Sequence, residues 1–550
     1  MNDRTVSAPS SEPASSAPTD DLGQSARRGA LFIPLAKLWF MMAALLLQLL
    51  LPRALGSAAL YGVWTLVSSW LSTLNNVMIT ATIQAVAYFA AGGPSAVEQA
   101  KKTALKMNLL IGGGSAALFF LLAPTIANFE HDGELTSQLQ LGSLIILAYS
   151  FYAVFVGAAN GARQFHKQAG LDITFATMRT GLVLVGALML HSTLAAVGGW
   201  VAAAMLILVL SVLLVGLPKA TDGEPISVRT MLGFGAWLAL YLLGLNALMF
   251  MDGWWLKRLY TEAQTGLSPA EIKRTVDAVV GIYGAAQTVA RLPYQLIVAV
   301  TFVVFPLLSA PAVKADRERT QRYISATLRY SLIAILGLVS ALGVRPQATL
   351  RLLFPPEYMV GGAALAILLG AYVCFSLFSI VGTITNSLGR TVHTAIIGLV
   401  TLVLSAVSVY ASIRYSLGLG QQPLRAAALG LLAGMGGGLL LGLIYLWQTL
   451  RATLPVLTLL RCGLALGLVL ALGQLWPAAG SVGLLGSKIG TMLCAGLSGV
   501  LYLVVLLLSK ELSLQELALL RRERPQGPAA AGRAAQARRR CATGALDRRT

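Results

Sequence analysis

Long apolar stretches alternate with short polar connections along most of the chain. A transmembrane helix needs about 20 predominantly apolar residues, and about fourteen stretches reach that length. We place them at residues 30–51, 61–90, 104–127, 138–162, 171–191, 194–217, 230–251, 278–308, 324–344, 360–388, 391–413, 425–448, 453–476 and 488–509. The pattern predicts an all-α polytopic membrane protein with about fourteen transmembrane helices.

Composition supports a membrane protein and gives no sign of catalytic chemistry. Of the 550 residues, 56% are hydrophobic and only 11% are charged, whereas a soluble chain is about 25% charged. The four cysteines follow no metal or disulfide spacing. The four histidines are scattered, and no Walker A motif is present. We therefore expect no enzyme activity, no metal and no cofactor.

The two ends of the chain predict its orientation. Residues 1–28 are rich in Ser, Pro and Ala, which is typical of disorder, and Arg27 and Arg28 precede the first span. Residues 510–550 are strongly basic, which beside a membrane helix indicates contact with anionic lipid rather than nucleic acid. An even number of spans and the positive-inside rule place both termini in the cytoplasm of a bacterial plasma (inner) membrane.

An internal repeat divides the chain. Leu60-Tyr61-Gly62 opens the second span and matches Ile282-Tyr283-Gly284 in the eighth. An offset of six spans predicts two six-helix lobes in the same orientation, arranged as a V. We expect a disordered tail (1–28), an N-lobe (29–217), a C-lobe (218–450), two further helices (451–509) and a basic cytoplasmic tail (510–550).

Glycines recur every four residues within several spans. Gly430, Gly434, Gly438 and Gly442 form the longest such ladder, and Gly463 and Gly467 repeat the spacing. Small residues at this spacing let helix backbones approach closely. We expect packing within the chain, with a dimer interface as the alternative.

Polar residues form stripes on individual spans. Ser69, Ser72, Asn76 and Thr80 share one face of the second span. A stripe with Gln287, Thr288, Arg291, Tyr294 and Gln295 follows on the eighth, and Lys37 and Gln48 lie on the same side of the first. Such stripes predict a water-filled cavity, and hydrogen bonding between helices is the alternative.

Three cations lie well inside predicted spans: Lys37, Arg179 and Arg291. A cation in mid-membrane costs about 2.5 kcal/mol or more, and only Asp172 and Asp252 border a span. Asp172 shares a helical face with Arg179, so these two residues are a candidate ion pair. The excess positive charge predicts a site for a large, phosphate-bearing anion. The candidate cavity residues are Lys37, Gln48, Asn76, Thr80, Arg179, Gln287, Arg291 and Gln295.

Two charged clusters fall at the outer side. Asp252, Lys257 and Arg258 are candidates for the outer mouth of the cavity, with loop anchoring by neighbouring tryptophans as the alternative. Glu130 and Asp132 belong to an acidic connection that we interpret as a solvated loop rather than a metal site. Arg329 and Arg461 lie near span ends, where long side chains snorkel to headgroups.

Several motifs resemble the Wzx-type polysaccharide flippases of the multidrug/oligosaccharidyl-lipid/polysaccharide exporter superfamily. They are Arg28-Gly29, Leu51-Pro52-Arg53-Ala54-Leu55-Gly56 with Leu60-Tyr61-Gly62, Asp252, and Gly281-Ile282-Tyr283-Gly284 through Leu292-Pro293 to Phe305-Pro306-Leu307-Leu308-Ser309. The resemblance covers residues 27–450. The segment 262–275 and the basic tail depart from the family pattern.

The resemblance implies a central cavity that alternates between the two membrane faces and carries an undecaprenyl-diphosphate-linked oligosaccharide outward. In the related lipid II flippases, arginines of helices one, two and eight line that cavity. Arg291 lies near the helix-eight position but is shifted from it by a few residues, and Arg53 and Lys37 are the remaining candidates. Expected partners are the lipid-linked oligosaccharide, membrane lipids, a polysaccharide polymerase and glycosyltransferases, without nucleic acid.

Three alternatives stay open. A flippase for peptidoglycan lipid II would carry the same diphosphate. A cation-coupled multidrug exporter of the superfamily would need an acid in mid-membrane, and none is predicted here. A membrane glycan polymerase or ligase would need a large external catalytic loop, and the longest predicted external connection is 252–277.

Overall fold

The computed structural model describes residues 19–221, 225–298, 317–452, 454–477 and 486–512, and their regular secondary structure is entirely helical. In chain order the helices are α1 (Thr19–Leu55), α2 (Ala58–Ala90), α3 (Pro94–Phe129), α4 (Leu135–Gly161), α5 (Phe165–Leu190), α6 (Thr193–Val215), α7 (Val228–Ala263), α8 (Pro269–Ala290), α9 (Arg317–Gly343), α10 (Pro346–Leu353), the 3-10 helix η1 (Pro356–Gly361), α11 (Gly362–Ser387), α12 (Thr391–Gly418), α13 (Pro423–Leu450), α14 (Val456–Gly473) and α15 (Lys488–Leu508). The all-α prediction is confirmed.

Within the described residues, 12 helices are long and apolar enough to cross a membrane. The predicted count of fourteen is therefore not confirmed by this criterion. Helices α2 and α8 do not meet it, although they have 33 and 22 residues. In α2, which contains no charged residue, the polar stripe lowers the hydropathy, whereas α8 fails because Glu271, Lys273, Arg274 and Asp277 lie in its first half.

The internal repeat is visible in how the helices pack. In the first half, α1 packs on α5, α2 and α3 on α4, and α6 on α4 and α5. In the second half, α7 packs on α12, α8 and α9 on α11, and α13 on α11 and α12. These are the same five neighbour pairs after an offset of six spans. We call the two sets the N-lobe (α1–α6) and the C-lobe (α7–α13).

The lobes meet mainly through α2, which packs on both α7 and α8. Helix α1 ends and α2 begins at the same end of the bundle, which we call the far face. A Cβ on Gly62 would lie 1.9 Å from the carbonyl oxygen of Asp277, and a Cβ on Gly281 would lie 2.1 Å from that of Ala58. Because only glycine permits this approach, α2 and α8 cross in backbone contact near the far face.

The glycine ladder packs α13 against α12, as predicted. A Cβ on Gly434 would lie 2.3 Å from the Cα of Ser405, and one on Gly438 would lie 2.1 Å from Cγ2 of Thr401. Packing within the chain is thus confirmed for this ladder, and a dimer interface on the same glycines is wrong. On α14, a Cβ added at Gly463 would meet nothing within 4 Å among the described residues.

The two C-terminal helices pack on the C-lobe through α9. Glu511, just after α15, accepts hydrogen bonds from Arg329 of α9 at 2.8 Å and from Arg461 of α14 at 3.0 Å. The snorkelling interpretation of these two arginines is therefore wrong, because both are ion-paired to one buried carboxylate. The basic tail from residue 513 lies outside the described residues.

Two sequence-based boundaries need correction. The segment predicted as disordered up to residue 28 is helical from Thr19, and residues 1–18 lie outside the described residues. The predicted external connection 252–277 is mostly helix, because α7 runs on to Ala263 and α8 begins at Pro269. A capping box between Ser268 and Glu271 explains the early start of α8.

Candidate functional site

A polar cavity of about 110 Å³ lies between the lobes. It is bounded by α1, α2 and α5 of the N-lobe and by α7, α8 and the turn after α8 in the C-lobe. Its polar lining residues are Gln48, Thr65, Ser68, Ser69, Ser72, Arg179, Tyr283, Gln287, Thr288 and Arg291. The structure thus brings together four of the predicted cavity residues: Gln48, Arg179, Gln287 and Arg291.

Arg179 is held in the cavity wall by an aromatic ring. Its guanidinium lies 4.7 Å from the ring centroid of Trp200, a favourable cation–π distance. The Trp200 indole in turn donates to the Tyr149 hydroxyl at 2.7 Å. The Nε of Arg179 is buried without a hydrogen-bond partner, and the predicted pairing with Asp172 is not seen. Arg179 therefore keeps hydrogen-bonding capacity for a ligand.

Arg291 lies at a break in the eighth helix. Helix α8 ends at Ala290, and helical backbone resumes at Leu292. Pro293 explains the break, since proline has no N–H to donate to the preceding turn. The Nε of Arg291 donates to the Tyr372 hydroxyl at 2.8 Å, and a terminal nitrogen donates to the Met249 carbonyl oxygen. Both partners belong to the C-lobe, so Arg291 is held in the C-lobe wall of the cavity.

Asp252 lies beside the cavity and not at an outer mouth. It is completely buried, 11 residues before the end of α7 at Ala263. Its Oδ2 accepts hydrogen bonds from the Tyr283 hydroxyl at 2.7 Å and from the Gln287 amide at 2.6 Å. The expectation that no acid lies in mid-membrane is therefore wrong. The expectation failed because the predicted span ends at residue 251, whereas α7 continues to Ala263.

Lys37 and Arg53 lie away from this cavity. Lys37 pairs with Asp172 at 2.8 Å, joining α1 to α5 inside the N-lobe. Arg53 is exposed and donates to the carbonyl oxygen of Leu49 in its own helix. Of the three predicted mid-membrane cations, two reach the cavity and the third already has a counter-ion.

The stripe on α2 serves both predicted purposes. Ser69 and Ser72 line the cavity, whereas the Asn76 amide donates to Asn246 Oδ1 at 2.7 Å and joins α2 to α7. Thr80 and Gln295 are not among the lining residues. Thr65 and Ser68 were missed, although they continue the stripe by one helical turn towards the far face.

Lys257 and Arg258 join the two lobes at the far face. Lys257 is 1% exposed and forms ion pairs with Asp277 of α8 and, at 3.4 Å, with Asp132 of the N-lobe. Arg258 donates to the Phe129 carbonyl oxygen at 3.3 Å and pairs with Glu262 at 3.1 Å. The acidic connection at 130–134 is only partly solvated, because Glu130 and Asp132 are buried. Among the described residues, no acidic, histidine and cysteine group suits a metal ion.

Comparison with known proteins finds one matching family and several solved structures with a similar fold. Residues 93–267 match a protein family described as "Polysaccharide biosynthesis protein". No curated protein sequence matches the chain.

Solved structures with a similar fold cover most of the chain. A lipid II flippase MurJ in an inward closed conformation has a TM-score of 0.67 at 14% identity, over 88% of this chain and 100% of that one. An outward-facing MATE family multidrug resistance transporter has a TM-score of 0.54 at 14% identity, over 76% and 94%. A MOP superfamily transporter from Pyrococcus furiosus has a TM-score of 0.50 at 15% identity, over 76% and 94%. The predicted resemblance is thus confirmed at the level of the fold.

Proposed function

We propose that this protein is a flippase that moves an undecaprenyl-diphosphate-linked oligosaccharide from the inner to the outer leaflet by alternating access. Its role would be surface polysaccharide biosynthesis, and the family match over residues 93–267 supports that setting. The protein would lie in a bacterial inner membrane with both termini in the cytoplasm. Glycosyltransferases and a polysaccharide polymerase would act before and after it on the same lipid.

One observation carries the proposal. Arg179 of the N-lobe and Arg291 of the C-lobe line the same cavity, and neither forms an ion pair with a carboxylate in the described part of the chain. Partly buried cations that form no ion pair are costly in a membrane, so they indicate a functional site with an anionic ligand. Arginine suits phosphate oxygens because its planar group donates two parallel hydrogen bonds.

The size of the cavity limits what this conformation holds. Pockets that enclose drug-sized ligands have volumes of about 300–1,000 Å³, so a cavity of about 110 Å³ is too small for an oligosaccharide. The sugars and the lipid would therefore enter only when the lobes separate. Because the two arginines belong to different lobes, a bound diphosphate would contact both lobes at once and would favour the conformation in which they are close together.

The membrane potential would favour this transport direction. Moving one charge through 100 mV is worth about 2.3 kcal/mol, and a diphosphate carries about two negative charges. With the inside negative, outward movement of the anion is downhill without ATP.

The alternatives differ in how they use the cavity. Lipid II carries the same diphosphate, so a lipid II flippase remains the nearest alternative and differs only in its sugars. The buried Asp252 meets the requirement of a cation-coupled multidrug exporter for an acid inside the membrane, but the two arginines of the cavity would repel a cationic drug. A polymerase or ligase would need a large external catalytic loop, and residues 264–268 are all that separates α7 from α8.

The test is transport in proteoliposomes with a fluorescent oligosaccharide on a polyprenyl diphosphate, followed by quenching from outside. We expect Arg291→Ala and Arg179→Ala each to slow transport at least tenfold, because one lost charge-assisted hydrogen bond costs about 1.5–3 kcal/mol. Arg425→Ala removes an exposed arginine of α13 and serves as the matched control. Equal rates for Arg291→Ala and Arg425→Ala would refute the proposed role of the cavity.

A further inference from the structure

Near the far face the two lobes contact each other through a cluster that includes one buried acid without an ion pair. The indole rings of Trp70 on α2 and Trp254 on α7 stack with centroids 3.9 Å apart. Glu130 follows α3 directly and accepts a hydrogen bond from the Trp70 indole at 3.0 Å. We call Trp70, Glu130, Asp132, Trp254 and Lys257 the far-face contact.

Glu130 is poorly solvated for an ionised carboxylate. The residue is 0% exposed, and its Oε2 has no hydrogen-bond partner. A charged carboxylate buried with a single hydrogen bond is unfavourable, and such a group binds a proton instead. Burial raises the pKa of Glu130 to about 8, against opposing contributions from the Trp70 N–H, Lys257 and Arg258.

The neighbouring cations are already bound to other groups. Lys257 is paired with Asp277 and Asp132, and Arg258 with Glu262. The charged and titratable groups around Glu130 and in the surrounding cluster are Lys257, Arg258 and Glu262 of α7, Lys273 and Asp277 of α8, and His131, Asp132 and Glu134 of its own connection. Glu130 is the member of this set that is fully buried without an ion pair.

We propose that Glu130 is a proton-binding site that couples closure of the far face to the pH of the compartment on that side. The proposal rests on the alternating access contained in the proposed function. When the lobes are together, Glu130 is buried and holds a proton. When they separate, the carboxyl meets water and releases the proton to the same side. The proton is therefore a regulator of opening and not a source of transport energy.

The direction of the effect follows from linkage. A carboxyl in water has a pKa of about 4.3, so separation of the lobes releases one proton at any pH between that value and about 8. The ratio of closed to open far face should then fall about tenfold for each unit of rising pH within this window. Above about pH 8 the ratio of closed to open far face should become constant. A low pH on that side therefore favours closure.

The experiment measures the separation of the lobes without substrate. Spin labels at Gly133→Cys, on the N-lobe connection, and Thr265→Cys, on the α7–α8 connection, are both on exposed residues of the far face. Their distance distribution would be recorded in lipid nanodiscs from pH 5.5 to 9, with the native cysteines replaced. We expect the short-distance population to decrease as pH rises, and Glu130→Gln to hold it constant and high across this range.

Glu134→Gln is the matched control, because that carboxylate belongs to the same connection but is exposed. It should keep the pH dependence of the parent. The proposal is overturned if the parent shows no pH dependence, or if Glu130→Gln retains it, which would assign the effect to His131 or another group. Because no lipid-linked substrate is used, a negative result here leaves the transport test of Arg291 untouched, and the reverse also holds.

Discussion

Substitution of Lys257 by Met tests whether the buried ion cluster stabilises the protein. Lys257 is 1% exposed, and the carboxylates of Asp132 and Asp277 are 2% and 3% exposed. Removing one partner of a buried ion pair costs about 3–5 kcal/mol, because the other charge is left without compensation. Asp132 keeps Lys273 at 2.8 Å, so mainly Asp277 is left unpaired. We therefore expect about 3 kcal/mol for Lys257→Met, at the lower end of that range.

The assay is unfolding in mixed micelles, followed by tryptophan fluorescence. A loss of 3 kcal/mol corresponds to roughly a hundredfold change in the unfolding equilibrium, since 1.4 kcal/mol is a factor of ten. The double variant Lys257→Met/Asp277→Leu should recover most of the loss, because an apolar pair of similar volume often replaces a buried ion pair at little cost. A single variant as stable as the parent, or a double variant no better than the single one, would refute this account.

Two further predictions concern helix packing and the C-terminal helices. Gly434→Leu should lower the free energy of unfolding by about 1–3 kcal/mol, since a side chain there overlaps the backbone of Ser405. The control Gly463→Leu on α14 should leave the free energy of unfolding unchanged. Similar losses of stability in both variants would contradict the packing of α13 on α12. Although burial opposes it, hydrogen bonds from Thr458, Arg329 and Arg461 lower the pKa of Glu511. The contribution of the Glu511 carboxylate to folding stability should be complete above about pH 4.3 and should disappear as pH falls through its lowered folded-state pKa. Glu511→Gln should therefore cost about 2 kcal/mol at pH 7 and nothing in acid that protonates the folded-state carboxylate. Thermal melts of parent and variant in both conditions would show this.

The sequence predicts the helices well because hydrophobic length and polar punctuation are local properties. The spans at 391–413 and 488–509 differ from α12 and α15 by only a few residues at their ends. It predicts α7 poorly, because that helix continues beyond its apolar stretch. The polar residues after Asp252 are satisfied by partners from other helices, and hydropathy alone does not contain that information.

The same limit explains which site residues were predicted. Arg179 and Arg291 stand out because a cation in an apolar stretch is visible in the sequence. Whether such a cation already has a counter-ion depends on the neighbouring helices. The sequence therefore does not distinguish Lys37, which pairs with Asp172, from Arg179 and Arg291. Glu130 and Asp132 were misplaced for the converse reason, since an acidic connection between two spans looks solvated unless the other lobe covers it.

The two helices that contribute polar stripes to the cavity from opposite lobes occupy equivalent positions in the repeat. Helices α2 and α8 follow the first helix of each lobe, cross each other in backbone contact at Gly62 and Gly281, and line the cavity below that crossing. A helix that faces another helix and a polar cavity needs less apolar surface than one that faces lipid. A polar stripe on both repeat copies, six spans apart, is therefore a sequence signal for the position of the cavity, independent of any individual charged residue.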